Sequence, residues 1–225
     1  MKTSRISRLW TAAVAAVLFA VVLAYADKFD DRVSYSADVF KALIKTLDQG
    51  VPRYMLDNCR GIIIIPGMKK GAFIVGGEFG RGVVIYRKDN RKWSPPAFVS
   101  ISEGSFGLQI GGQSTDLVLF IMSESGVKAL RRNKFTLGAD ASVTAGPLSS
   151  TAPAGIDITL NSDIFAYYRS SGLFAGIALN GSNISQDDKA DKDYYGKKLS
   201  NRDILFKNKV TRLLKSAEEL NRVLP

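Results

Sequence analysis

The chain contains no histidine, which removes Ser-His and Cys-His activation of a nucleophile together with most transition-metal sites. The carboxylates Glu103, Asp116, Asp140, Asp157 and Asp163 fall at the starts and ends of predicted strands, where capping and turn roles are ordinary. An acid/base pair among them needs a separation that spacing along a chain does not supply. Asp187, Asp188, Asp191 and Asp193 resemble part of a calcium loop, with Gly196 at the turn position. The twelfth residue from Asp191 is Arg202, however, where a bidentate glutamate is required. They read as a solvated acidic turn. The glycines of "GGEFGRG", residues 76–82, do not make a phosphate cradle, because such a loop follows a strand and opens a helix, whereas here the β-forming "VVIYR" follows. The expectation is a Gly-bent β-hairpin, with no catalytic residue, no metal site, no cofactor and no enzymatic activity.

Positive charge is the chemistry that remains. Three clusters stand near predicted strand ends: Lys69 and Lys70; Arg87, Lys88, Arg91 and Lys92; and Arg131, Arg132 and Lys134. One such cluster is usually a solvated loop, but three together make a candidate shared surface for an anionic partner. The chain of 225 residues carries 31 basic against 21 acidic side chains. Its first residues, "MKTSRISR", are basic; an apolar run of 18 residues from Leu9 to Ala26 follows and closes on Ala24-Tyr25-Ala26. That order predicts a secretory signal over 1–26, cleaved before Asp27, with an uncleaved membrane anchor as the alternative. Losing Lys2, Arg5 and Arg8 with the signal leaves a mature chain of net charge +7. Export to a periplasm or envelope argues against nucleic acid as the partner and for lipid headgroups or acidic proteins. The single cysteine, Cys59, forms no internal disulfide and is expected to pack as a small hydrophobe.

These clusters need a scaffold, and the periodicity describes one. Phe29, Val33, Ala37, Phe40, Ile44 and Leu47 recur every three or four residues, one face of an amphipathic helix. That face either covers a sheet or enters a membrane interface with Phe29, Val33, Phe40 and Ile44. A short helix, "PRYMLDNC", follows. From Gly61 to about Ser185 the period changes to two, with glycine or proline between short segments: "GIIIIP", "GAFIVGG", "GVVIYR", "SPPAFVSIS", "SFGLQIGG" and the wholly apolar "TDLVLFIM". "SESGVKALRRNK" reads as a short internal helix. "FTLGADASVTAG", "AGIDITL", "DIFAYYR" and "LFAGIALNG" continue the strands, with small residues on one face that allow tight curvature or close backbone approach. A basic helix closes the chain, with Ile204, Leu205, Val210, Leu213, Leu214, Leu220 and Leu224 as its apolar positions. The predicted fold is α+β: a mainly antiparallel, strongly bent sheet or partial barrel with an N-terminal amphipathic helix, a short internal helix and a C-terminal helix.

"RVSYSADVFKAL", "GIIIIPGMKKGAFIVGGEFGRGVVIYR", "WSPPAFVSISEGSFGLQIGGQSTDLVLFIM", "FTLGADASVTAGP", "YYRSSGLFAGIALNGSNIS" and "YYG" resemble, in order and spacing, the SYLF lipid-binding domain, which is related to yeast actin-binding and SH3-adaptor proteins. The resemblance covers 27–196 and leaves 197–225 as a basic helical extension. It implies a non-catalytic module that binds phosphoinositides or other anionic lipids through basic residues and an N-terminal amphipathic segment. Lys69, Lys70, Arg81 and Arg169 fall in matching blocks. Some eukaryotic members also bind actin. An export signal and the lack of an SH3 domain argue against actin and cytosolic phosphoinositides, and for an exported bacterial member facing anionic phospholipid. The alternative is a protein-interaction scaffold in the cell envelope with an envelope protein as partner.

Overall fold

A computed structural model describes residues 28–46, 51–70, 77–104, 115–147, 162–170 and 172–225. The expected signal at 1–26 and the strand segments "SFGLQIGG" and "AGIDITL" lie outside these residues. Ile62, Ile63, Ile64 and Ile65 are all fully buried in strand β1 (Gly61–Lys70). Successive strand side chains point to opposite faces, so four buried isoleucines in a row require a packed layer on each side of the sheet. Both layers are present. Ile62 and Ile64 pack under helix α1 (28–45) and α2 (Arg53–Asn58), against Phe29, Val33, Phe40, Leu43 and Met55. Ile63 and Ile65 belong to a second core with α3 (Glu124–Leu130). Cys59 is buried with the first, and burial pushes its thiol up to about 12, which leaves it a packing group.

The remaining strands are β2 (Gly77–Tyr86), β3 (Ala97–Gly104), β4 (Thr115–Ile121), β5 (Lys134–Thr136), β6 (Val143–Ala145), β7 (Ile164–Ser170), β8 (Leu173–Gly176) and β9 (Asn183–Gln186). Among the described residues they form one sheet in the order β5-β9-β3-β2-β1-β4-β7-β6, with β8 also paired to β7. All pairs are antiparallel except β6 with β7. The sheet curls into a half-barrel, so Phe135 on β5 and Val143 on β6, from opposite ends of the strand order, meet in the second core. This is the α+β, mainly antiparallel, strongly bent sheet predicted from the sequence.

Small residues permit the curl where β6 and β8 meet on one edge of β7. The Ala166 carbonyl accepts from both Gly146 N and Ile177 N, at 2.9 and 3.0 Å. A Cβ on Gly176 would stand 2.3 Å from the Gly146 carbonyl oxygen, and one on Gly146 would enter the Tyr167 ring. Only glycine at both positions lets the two strands share that carbonyl.

Several local expectations are corrected. The bend expected within "GGEFGRG" is absent from its described part: Gly77–Gly82 lie in a regular β2, paired to β3 without a register shift and antiparallel to β1. The irregularity is in β1, whose register shifts between Ile64 and Lys69 against β2 and between Ile65 and Met68 against β4. Pro66 has no N–H for the ladder and Gly67 takes φ 60°, so the pair forms a bulge in a central strand. The acidic turn is instead helix α4 (Asp188–Tyr195), capped by Asp187, with Asp191 fully buried. The C-terminal stretch is two helices, α5 (Asn201–Leu205) and α6 (Lys215–Val223), because a Ser200/Asp203 capping box starts the first and its apolar residues pack away from those of the second. Ile204 and Leu205 join one core; Leu220 and Leu224 join the other.

Of the residues considered for a membrane interface, Phe29, Val33 and Phe40 are core, held against the sheet face by Phe98, Val118 and Phe120. Ile44 alone keeps an exposed side chain.

Candidate functional site

The Pro66-Gly67 bulge aligns one row of residues across four neighbouring strands. Arg81 on β2 lies beside the bulge, the Gly67 amide donates to Asp116 Oδ1 on β4 at 2.9 Å, and Asp116 is the direct cross-strand partner of Arg169 on β7. Arg169 Nε donates to Asp116 Oδ2 at 2.7 Å, and its Nη2 contacts the same oxygen. Helix α1 crosses this sheet face and places Lys28, Asp31, Arg32, Tyr35 and Asp38 opposite the row. Between them is an open cleft of about 610 Å³. The Arg81 guanidinium lies 5.1 Å from the centre of the Phe79 ring and, unlike Arg169, has no carboxylate partner among the described residues. Arg81 and the exposed Lys28 of α1 are the cleft cations available to a ligand.

Asp116→Ala separates the structural from the electrostatic role of this row. The substitution strips an acceptor from the bulge amide and from Arg169, and is expected to cost about 1–2 kcal/mol of stability in a denaturant melt. It also removes a negative charge from the cleft, so retention on an anionic resin should rise while stability falls.

The cleft end of the sheet is apolar as well as charged. Tyr35, Phe79 and Leu173 are 60%, 46% and 69% exposed, three of the five exposed large apolar side chains among the described residues. Phe79 lies near the start of β2 and Leu173 opens β8, both at the sheet end where β1 closes with Lys69 and Lys70; Phe79 shares the cleft face with Arg81, whereas Leu173 stands on the opposite face, since its neighbour Phe174 packs in the first core. Charge and exposed apolar surface thus coincide at the cleft end.

The three predicted basic clusters do not form one surface. Lys69 and Lys70 stand at the cleft end with Arg81 and Arg169. Lys134 shares the sheet row of Arg81, through Ser185 and Ser100, and Arg132 turns to Asp140 beside Thr136; Arg87, Lys88, Arg91 and Lys92 follow the opposite end of β2, and Arg131 joins them there. Phe206 connects these two groups, stacking on Tyr86 at 4.6 Å while Arg131 lies 4.9 Å from its ring centre. Within them Arg87 is structural: it donates to the carbonyls of Asp57 and Pro225, at 2.8 and 3.0 Å, and lies over Trp93. Arg132 is paired to Asp140, whose other oxygen accepts the Thr136 amide. Arg91, Lys92, Arg131 and Lys134 remain exposed.

Sequence reasoning missed Arg32. It is buried in α1, bonded to Asp187 at 2.9 Å, with its guanidinium 5.5 and 5.3 Å from the Phe29 and Phe98 ring centres. The available signal was the second row of the helix, Arg32, Ser36, Val39 and Leu43, which widens the buried stripe beyond the row that begins at Phe29. Asp187 caps α4 by accepting the Ala190 amide at 3.1 Å. One turn on, Asp191 accepts from the Phe98 amide and from Gln186 Nε2, at 2.9 and 2.8 Å. The cleft wall is therefore tied through Arg32 to the acidic helix and on to β3.

The fold has relatives. Residues 102–225, from β3 through α6, match the family described as "Ysc84: Las17-binding protein actin regulator". The chain belongs to the Ysc84, or SYLF, family. The family match includes Asp116 and Arg169 and begins after Arg81 and α1. Protein YSC84 of Saccharomyces cerevisiae is 33% identical over 178 residues, which cover 76% of this chain and 38% of that protein. LAS seventeen-binding protein 3 of the same species is 34% identical over 152 residues, 66% of this chain and 33% of its own. SH3 domain-containing YSC84-like protein 1 of Bos taurus is 31% identical over 178 residues, 79% of this chain and 51% of its own. This SYLF chain thus spans about a third to a half of the length of these relatives.

Proposed function

We propose that this SYLF chain is a non-catalytic module that docks on anionic phospholipid bilayers with the cleft end of its sheet. The supporting observation is the coincidence there of the unpaired Arg81 with exposed Tyr35, Phe79 and Leu173. A bilayer interface offers headgroup charge and acyl surface within a few ångströms of one another, which this combination fits better than a soluble anion does. The open cleft has room for one headgroup between α1 and the row from Arg81 to Arg169. A second reading, a protein-interaction scaffold, is favoured by relatives named for Las17 binding and for SH3 domains.

Pelleting with vesicles distinguishes the two. The folded chain is expected to sediment with phosphatidylglycerol vesicles and not with phosphatidylcholine. Each cation at an anionic surface contributes on the order of 1 kcal/mol, so Arg81→Glu, a change of two charges, should weaken binding about thirtyfold. Phe79→Ala should weaken it in a way that salt does not mimic. Equal indifference of the wild type to both vesicles, with capture of an envelope protein instead, would put the scaffold reading first.

A further inference from the structure

The end of the sheet opposite the cleft carries its own groove and its own free cations. A groove of about 450 Å³ lies between the end of α4 and the segment before α6, lined by Tyr195, Lys197, Thr211, Arg212 and Leu214 among others. Tyr195 OH is bonded to the carbonyl of Pro96, next to the first residue of β3, which fixes the groove at this end. Lys197 Nζ donates to the Lys209 carbonyl at 2.9 Å. Arg212 is exposed at the groove, and Arg91, Lys92 and Arg131 are exposed at the same end of the sheet without a carboxylate partner among the described residues. Of the acidic side chains at this end, Asp203 is paired to Lys207 and Lys209, Glu218 to Arg222 and Glu124 to Arg60, which leaves Asp57, Asp89, Asp193 and Glu219. Positive charge prevails.

The two ends are separated by the length of β2, ten residues, or about 33 Å of extended chain. That is several Debye lengths at physiological salt, about 8 Å each, so a flat bilayer held at the cleft end leaves the opposite cations unneutralised. We infer that the second end docks a second anionic bilayer, so that one copy of the chain tethers two membranes. The inference rests on the proposed bilayer docking by the cleft end. Two differences follow from composition. The cleft end exposes Tyr35, Phe79 and Leu173, while the second groove exposes only Leu214 among the large apolar side chains. Docking at the second end is therefore mainly coulombic and the more easily screened by salt.

Phosphatidylglycerol/phosphatidylcholine vesicles test this, with pelleting reporting docking and light scattering reporting vesicle clustering. The wild-type chain is expected to do both, and added salt should abolish clustering at a lower concentration than pelleting. Glutamate at Arg91, Lys92 and Arg212 together should leave pelleting within about twofold while clustering falls about tenfold or more. Glutamine at the same three positions is the milder variant, and circular dichroism establishes that each is folded. Pelleting by the wild type without clustering overturns tethering and leaves bilayer docking standing. If such a variant binds an acidic soluble protein less than the wild type does, the second end takes a protein instead. Clustering that survives the triple glutamate variant assigns bridging to self-association and also overturns the inference. No pelleting by the wild type removes both the inference and the docking on which it rests.

Discussion

Gly82→Ala is expected to prevent the chain from folding at ordinary temperature. A Cβ at this position would stand 1.9 Å from the Ile64 carbonyl oxygen and 2.8 Å from the Ile65 Cα, both backbone atoms of the central strand. Neither has a rotamer through which to yield. Relief would require β2 to separate from β1 just where Ile64 and Val83 are paired, in the middle of both cores. The cost belongs with the largest single-residue effects, above about 4 kcal/mol. Gly172→Ala is the control, since its φ of +88° strains an alanine but nothing lies within 4 Å of the added carbon; that conformational cost is about 1–2 kcal/mol. Urea melts of the two variants should therefore differ by several-fold in lost stability. Equal losses would mean that the β1–β2 approach is looser than the bulge geometry requires.

The second large effect is expected at Asp191. It is fully buried, and removal of its carboxylate in Asp191→Ala leaves the Phe98 amide without its acceptor and Gln186 Nε2 with only the Leu199 carbonyl. A buried donor left unsatisfied costs about 1–3 kcal/mol, and the vacated volume adds to it, so a loss of about 3 kcal/mol is expected in a thermal or urea melt. The wild-type residue also makes stability depend on pH. Burial raises its pKa from 3.8 to about 7 against the two hydrogen bonds that favour the charged form, and Asp187 and Asp188 add to the rise. Between those two values the folded chain holds a proton that the unfolded chain has released. Stability therefore falls as pH rises from about 4 to about 7 and levels off above that. Asp191→Asn keeps the shape and removes the titration, so its melts should lose this slope even though the amide pairs less well with Gln186. A wild-type slope of the opposite sign, or one that persists in the Asn variant, would assign the pH dependence to other groups.

The cleft was partly legible before the fold was known. Arg81 and Arg169 stood out by resemblance to SYLF sequences, and both line the same cleft. Asp116 was read as a strand-end carboxylate with a local role. Its partners are Gly67 and Arg169, 49 and 53 residues away, and such pairs carry no periodicity of their own. Asp140 did behave as a local turn group, accepting the Thr136 amide four residues away. The difference is contact distance along the chain: a cap is written within a few residues, whereas a cross-strand ion pair exists only once the strand order is set.

The alternation of apolar residues determined by itself that the chain forms an α+β domain around a buried, curled sheet. Four consecutive isoleucines in β1 and the apolar β4 demanded cover on both faces, whichever elements supplied it. The missing histidine likewise removed whole classes of chemistry without reference to any coordinates. Only the tertiary structure decided which face of α1 is covered, and Phe29, Val33 and Phe40 are buried because the opposing sheet is apolar there. Only the tertiary structure divided the basic clusters between two ends. A charged side chain in a loop costs almost the same wherever the loop lies, so its sequence signal records exposure and not neighbours. Position is supplied by the direction of the strands, and the antiparallel ladder of β1 with β2 carries Lys69 and Lys70 to one end and Arg87 to the other.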